Sequence, residues 1–383
     1  MPVGTPQETG LAQCVEKVRM LAARHAQDAD RDRAPHPEVV DALREAGFAR
    51  HFVAAELGGA QGSFTDLGRA VVAVGEECGS TAWCASLTAN SARLAAHLPR
   101  EGQRTVWADG PDTMVSAGLI PSGRATPADG GWQLAGRWDY VSGVDFADWV
   151  LLCAAVPDPD RPPHLRFFAL PRASCRTLPT WDAVGMAATG SHTVVVEDSF
   201  VPGHLSFDRA EVLTGRNAAS SADAHNVPFP AVAGLTFVTP AVGAALGALR
   251  AAGTLLTGKR RTPGKEVALA RAAGLIESAR QLTEQNAAAV DARDFAAPSL
   301  ARSERNSASA AELAADAVWT LVRLSGTGGL SLSHPLQRYW RDVVTATSHT
   351  ALRYETSAGR SYAAALLGPA DAGPAEGPRR TAN

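Results

Sequence analysis

Apolar residues recur at helical spacing near both ends of the chain and in short strand-like runs between them. Leu11, Cys14, Val15, Val18, Leu21 and Ala22 mark a helix over 11–22. A second helix starts at Pro37, a residue suited to the first turn, and stops at Gly47. Ser63-Phe64-Thr65-Asp66 has the form of a capping box ahead of Leu67, Val71 and Val74. Another helix covers 80–97. From about residue 111 the runs 113–117, 131–135, 149–155, 165–170 and 192–197 are rich in Val, Leu, Phe and Trp, with Gly, Pro and Asp between them. Asp129-Gly130-Gly131 supplies a turn between two of these strands. From about 233 the helical spacing returns over 235–258, 264–293, 304–325 and 335–366, which predicts an antiparallel four-helix bundle.

This pattern divides the chain into an N-terminal helical domain (1–110), a central β domain (111–205), a loop or lid (206–232), a helical bundle (233–367) and a disordered tail (368–383). The polar stretch 203–231, with Asn217, Ser220, Ser221 and His225, is long for a connection inside a compact protein and reads as functional or disordered. The tail is rich in Pro, Gly and Ala.

Composition narrows the classes. Of 383 residues, 45% are hydrophobic and 20% charged, which suits a protein with a substantial core. A formal charge of -3 offers no basic field for nucleic acid. The first ten residues lack a basic start and an apolar run, and no uninterrupted apolar stretch approaches membrane-spanning length. Cys14, Cys78, Cys84, Cys153 and Cys175 are odd in number and scattered, which reads as reduced thiols, small buried hydrophobes, in a cytoplasmic protein.

Much familiar chemistry is missing. There is no GxGxxG after a strand, no P-loop, no HExxH, no GxSxG and no zinc-spaced His/Cys pair. Gly326-Thr327-Gly328-Gly329 has the wrong spacing for a dinucleotide and lies between helices. An oxidoreductase of this sequence would take its electrons from another protein.

Several segments together resemble the acyl-CoA dehydrogenase superfamily over roughly residues 10–366. They are Gly136-Arg137-Trp138-Asp139-Tyr140-Val141-Ser142-Gly143 with Ala147-Asp148-Trp149, Gly185-Met186-Ala187-Ala188-Thr189-Gly190-Ser191 with Val201-Pro202, and Gly326-Thr327-Gly328-Gly329 with Gln337-Arg338 and Arg341-Asp342. The resemblance implies an α+β acyl-CoA-dehydrogenase-like fold: N-terminal helices, a central β-barrel or sandwich, and a C-terminal four-helix bundle. Ala46-Gly47-Phe48-Ala49-Arg50-His51-Phe52-Val53, Gly75-Glu76-Glu77-Cys78-Gly79-Ser80-Thr81-Ala82-Trp83 and Pro99-Arg100-Glu101-Gly102-Gln103 are similar to the reduced-flavin monooxygenases within it, the actinorhodin-pathway hydroxylase group. That group implies the oxygenase half of a two-component system. A separate NAD(P)H:flavin reductase supplies FMNH2 or FADH2, O2 adds to form a flavin C4a-hydroperoxide, and a phenol, indole or aromatic polyketide is hydroxylated, often in antibiotic biosynthesis. Relatives are homotetramers.

The same resemblance implies roles for individual residues, each with a structural alternative. Ser142 faces flavin N5 as a donor, or is a strand serine bonded within the sheet. Trp138 and Tyr140 alternate on one strand and so share a face, against the flavin ring or in ordinary packing. Ser116 lies between flavin and substrate, or merely ends a strand. His349, seven residues after Asp342 on an expected helix, takes the place of a dehydrogenase's base. An imidazole titrating near working pH suits deprotonating a phenol; the alternative is a bundle histidine bonded to a carbonyl. One of Lys259, Arg260 and Arg261 holds a flavin phosphate across a subunit boundary, or the cluster complements a helix dipole. Arg338 and Asp342, four apart, form an intrahelical ion pair. A substrate-side histidine common near Asn90 is absent in Thr88-Ala89-Asn90-Ser91, leaving Asn90 as the substrate contact, and a proline common before Gly58-Gly59 is Ala54.

Two other functions compete. A true acyl-CoA dehydrogenase needs a base carboxylate, yet the position eight after Asp342 is Thr350, and Glu355, thirteen after, would face elsewhere. A catalytically silent flavin-binding protein would have no reason to keep Ser142 and His349. N-hydroxylation of an amine or amino sugar is a chemical variant of the first reading.

Overall fold

The computed structural model describes residues 10–158, 160 and 162–368. The tail expected to be unfolded lies, beyond Gly368, outside the described residues.

The N-terminal helices are α1 (Leu11–Cys14), α2 (Glu16–Asp32), α3 (Pro37–Ala46), α4 (Phe64–Gly75), α5 (Gly79–Ala95) and α6 (Arg100–Val106). Local chemistry sets their ends. Pro37 opens α3, and Gly47 closes it at φ 93°. Ser63 Oγ accepts from the Asp66 N–H, as a capping box requires. Asp66 does not complete the box. Its carboxylate instead accepts from the backbone N–H groups of Leu11 (2.6 Å) and Ala12 (3.2 Å), capping α1 from a distance in sequence. Cys14 is exposed, against expectation; the other four cysteines are buried, and all five are free.

Seven strands follow: β1 (Val115–Ala128), β2 (Gly131–Val141), β3 (Trp149–Val156), β4 (His164–Pro171), β5 (Arg176–Leu178), β6 (His192–Pro202) and β7 (Ser206–Asp208). They form one sheet in the order β5-β6-β2-β1-β3-β4-β7. The β1–β3 pair is parallel and the rest are antiparallel. Trp138 fills the core of this sheet at 1% exposure, its indole N–H donating to Cys153 O at 2.6 Å. Gly123 makes the room: a Cβ there would fall 2.0 Å from the indole ring.

The stretch read as a long loop or lid, functional or disordered, is ordered. It holds β7, a short α7 (Arg209–Thr214) and a turn at Asp223–His225. Its polarity serves backbone groups: Asn217 Nδ2 donates to Ala96 O at 2.8 Å, and His225 Nε2 bonds to Phe52 O.

The bundle is α8 (Phe229–Leu256), α9 (Pro263–Asp291), α10 (Ala297–Ser325), α11 (Pro335–Thr347) and α12 (Gly359–Leu367). Helix α8 is long and apolar enough to cross a membrane, but 83% of its most apolar window is buried inside the fold. It is a core helix, all-round apolar because other elements surround it. Pro240 deprives Thr236 O of its intrahelical partner. Ser86 Oγ of α5 donates to that carbonyl at 2.7 Å, which ties the two helices together.

The expected single helix over 335–366 is broken after Thr347. The hydroxyls of Thr347 and Ser348 donate back to Val343 O and Val344 O, both at 2.8 Å, a local alternative that weakens the helix. The expected Arg338–Asp342 ion pair does not form either. Asp342 is 1% exposed and accepts from the Met186 N–H at 2.6 Å. Arg341 is the paired arginine, with Asp30 at 2.6 Å. Gly185 sits against α11 so closely that a Cβ would fall 2.0 Å from Arg341 O. The segments Gly185-Met186 and Arg341-Asp342, far apart in the chain, are thus two halves of one joint.

Candidate active site

Helix α5, the C-terminal end of β2 and the end of α11 enclose a cavity of about 510 Å³. One face of α5 (Trp83, Leu87, Asn90, Ser91, Leu94) forms a wall at helical spacing. Phe229 and Phe237 of α8 form another.

The strand contributes through an irregularity. Trp138 and Tyr140 do not share a face: Tyr140 adopts φ 63°, and the β2–β6 register shifts between Trp138 and Val141. A bulge re-aims a side chain. Trp138 goes into the sheet's core, which removes it from the cofactor side, and Tyr140 turns out to the cavity, 66% exposed, edge-on to Trp181 at 6.2 Å. Ser116 is likewise turned away. On β1 the cavity receives Ala117 and Leu119, and alternation puts Ser116 on the other face, buried beneath Gly143.

Ser142 follows the bulge and lines the cavity. It belongs to a chain of hydroxyls. Trp83 Nε1 donates to Ser142 Oγ at 3.1 Å, Ser142 Oγ lies 2.7 Å from Ser191 Oγ, and Ser191 Oγ lies 2.7 Å from Thr189 Oγ1. Thr189 donates to Met186 O at 2.9 Å. That last carbonyl can only accept, so it fixes every proton behind it: Ser191 donates to Thr189 and Ser142 donates to Ser191. The Ser142 proton is therefore committed. What Ser142 has left for the cavity is a lone pair, and the donor role expected for it becomes an acceptor role.

His349 is not on a helix. It is the N-cap of the turn Thr350–Leu352, and its Nδ1 accepts from the Ala351 N–H at 3.2 Å. Its ring stacks on Phe237 with centroids 3.7 Å apart and stands edge-on to Trp83 at 6.1 Å. Burial, helped by Arg353, pushes its pKa down to about 4. With Nδ1 occupied, the neutral ring carries its proton on Nε2. This is a hydrogen-bond donor, not a base poised near neutrality.

Asp139 is the carboxylate on the cavity wall. It accepts from Thr193 Oγ1 at 2.6 Å and from Arg137 at 3.2 Å, and these bonds hold its pKa below the ordinary value. It is too well satisfied to take a substrate proton. Glu355 is exposed and not part of the wall. Asn90 lines the cavity. Lys259, Arg260 and Arg261 lie on the exposed turn between α8 and α9, away from the cavity of their own chain. Sequence reasoning missed Trp83, Phe237, Trp181, Ser191 and Arg93. For Trp83 a signal existed: with Leu87 and Asn90 it keeps one helical face.

The comparisons with known proteins come to the same place. The acyl-CoA dehydrogenase N-terminal domain family matches residues 9–108, and the acyl-CoA dehydrogenase C-terminal domain family matches 235–354. The oxygenase subunit HsaA of a flavin-dependent monooxygenase from Rhodococcus jostii is 31% identical over 352 residues, covering 86% of this chain and 91% of that protein. The oxygenase component of an FADH2-dependent resorcinol hydroxylase from a Rhizobium species is 29% identical over 91% of this chain and 90% of its own length. Among solved structures, XiaF from a Streptomyces species in complex with FADH2 and glycerol superimposes with a TM-score of 0.87 at 25% identity, covering 95% of this chain and 96% of that one. With the fold, the cavity and these relatives together, the chain belongs to the flavin-dependent monooxygenase oxygenase components of the acyl-CoA dehydrogenase superfamily.

Proposed function

We propose that this chain hydroxylates a small aromatic compound with reduced flavin delivered by a separate NAD(P)H:flavin reductase. The observation that carries the reading is the joint opening of Ser142 and the neutral His349 into one largely apolar cavity whose wall, among the described residues, offers no free carboxylate. A dehydrogenase acting on an α-proton needs that carboxylate; an oxygenase does not.

The residues fit a reduced flavin ring. The cavity is apolar and flanked by Trp83, Tyr140 and Trp181, and Ser142 keeps a lone pair for a ring N–H. When bound, the reduced flavin supplies the two electrons and the place where O2 is activated. Ser142 Oγ accepts the ring N–H and is itself held in place by Trp83 and Ser191. His349 Nε2–H donates to an oxygen at the reacting end of the cavity. Phe229, Phe237 and Leu119 keep water out, which strengthens both hydrogen bonds. FADH2, named for the resorcinol hydroxylase and for XiaF, is the favoured form of the flavin.

The bundle also supports a homotetramer. Leu332, Leu366 and Leu367 are 81%, 69% and 81% exposed, a degree of apolar exposure that a partner surface would relieve. In such an assembly one of Lys259, Arg260 and Arg261 would reach a flavin phosphate of a neighbouring protomer. The reading is tested by supplying NADH, flavin and a generic reductase with a panel of phenols, indoles and naphthols. Hydroxylated product requires both the reductase and this chain, and the chain alone leaves NADH unconsumed.

A further inference from the structure

Helix α5 carries a buried cation without a counter-ion. Arg93 is 1% exposed, and among the described residues no carboxylate pairs with it. Its Nε and Nη1 have no hydrogen-bond partner. The guanidinium lies over the Phe64 ring, its carbon 5.8 Å from the ring centroid, a cation–π contact that supplies no hydrogen bond. Burial lowers its pKa only to about 10, so it stays charged at neutral pH. The bases around it are neutral. His97 is held at about 3 by burial and by Arg93 itself, and His225 is lowered by the same two causes. Glu211 lies beyond His97, 3.7 Å from its Nδ1. A buried charge left unpaired is costly, and one beside a cavity marks a candidate ligand site.

The place of Arg93 says what that ligand is. It lines the same cavity as Ser142 and His349. It lies ten residues beyond Trp83 on α5, about 15 Å along the helix axis, and so at the end remote from the hydroxyl chain. Asn90 is one turn nearer to Trp83. Its Nδ2 donates to Ser86 O at 2.9 Å, and its Oδ1 is buried and has no partner among the described residues. Arg93 and, one turn before it, Asn90 thus border the far end of the cavity with polar atoms that are covered and that the protein itself leaves unpartnered.

We infer that Arg93 determines substrate specificity by binding an oxyanion, from a carboxyl group or an acidic phenol, on the part of the aromatic substrate farthest from the flavin. Asn90 Oδ1 receives a substrate O–H or N–H beside it. The inference rests on the aromatic-hydroxylase reading for what the ligand is, and on the unpaired guanidinium for where its charge goes.

The test is equilibrium binding by calorimetry to the flavin-free protein. The probes are matched pairs: 4-hydroxyphenylacetate, indole-3-acetate and 6-hydroxy-2-naphthoate against their primary amides, and acidic nitrophenols against their methyl ethers. Wild type binds at least one anionic member about tenfold or more tighter than its neutral partner, the scale of a charge-assisted hydrogen bond. A preference confined to the acid–amide pairs assigns a carboxylate; one confined to the phenols assigns a phenolate. Arg93→Gln brings the ratio close to one, and Arg93→Lys retains part of it. Equal binding of both members throughout the panel, no binding of any anion, or a preference that survives Arg93→Gln overturns the inference, and the wild-type ratio decides even where Arg93→Gln does not fold. Turnover with a reductase separates the two readings. Anions that bind without being oxygenated sink the hydroxylase and leave the anion site. Neutral phenols hydroxylated as readily as acids sink the anion site and leave the hydroxylase.

Discussion

Trp83 Nε1 donates a 3.1 Å hydrogen bond to Ser142 Oγ, joining the N-terminal part of α5 to the bulged end of β2 at the cavity wall. With Ser142 already donating to Ser191, the indole orients the serine's remaining lone pair. Trp83→Phe and Ser142→Ala should each retain reduced-flavin binding while releasing more H2O2 per NADH. One hydrogen bond is worth about 0.5–1.5 kcal/mol, so each leak should rise about two- to tenfold. The double variant should leak little more than the worse single one, because both act through the same bond. Additive leaks in that double-mutant cycle would separate the two residues.

Asp342 is buried and accepts from the Met186 N–H, and burial raises its pKa to about 6. Asp342→Asn keeps an acceptor and loses a costly charge. Asp342→Ala leaves the Met186 N–H unpaired and should cost about 1–3 kcal/mol. Because its folded pKa lies above the unfolded value, the carboxyl's contribution to stability is present below about pH 4 and is lost as pH rises through about 6. Asp342→Asn should therefore gain on wild type in thermal scans above pH 6. An Asn variant as unstable as Ala at pH 7 would show that the charge is needed.

His349 is neutral with Nδ1 committed, so its ring proton resonances in the flavin-free protein should stay flat from pH 8 to pH 5.5 and move only near its pKa of about 4. The pKa is depressed, so the stability the neutral ring contributes is present above about 6.5 and lost as pH falls through about 4. His349→Ala should reduce hydroxylation about ten- to a hundredfold by removing a donor, and His349→Gln, which can still donate, should recover part of it. Titration near 6.5 with no recovery by Gln would instead make this histidine a general base.

The legible parts of the fold were those fixed by local chemistry. Pro37, Gly47 and Ser63 mark helix ends by their own backbone and capping properties, and the strand runs show by composition. What escaped depends on partners distant in sequence. Asp342 looked paired with Arg338 because they are four apart, yet Met186 claims it. Trp138 and Tyr140 looked like neighbours on a face until one positive φ separated them. Ser142 and His349 both line the cavity, but a hydroxyl's direction and a ring's tautomer are set by Thr189, Met186 and Ala351, which the sequence does not bring together. Arg93 carried no signal at all: an arginine in a helix reads as solvated until the helix is seen to be buried on nearly every side.

Light scattering at micromolar concentration should give a tetramer. If a basic residue of the α8–α9 turn reaches a neighbour's flavin phosphate, replacing Lys259, Arg260 and Arg261 together with Gln should weaken flavin binding without dissociating the assembly. A fully active monomer would remove both the tetramer and the phosphate contact.

The most direct measurement supplies reduced flavin through a reductase under isotopically labelled dioxygen and weighs the aromatic product. An oxygenase component places one labelled oxygen atom in the product, and the label disappears when either the reductase or this chain is left out. Product oxygen drawn from water, or dehydrogenation of an acyl thioester with no oxygen incorporated, would contradict the account.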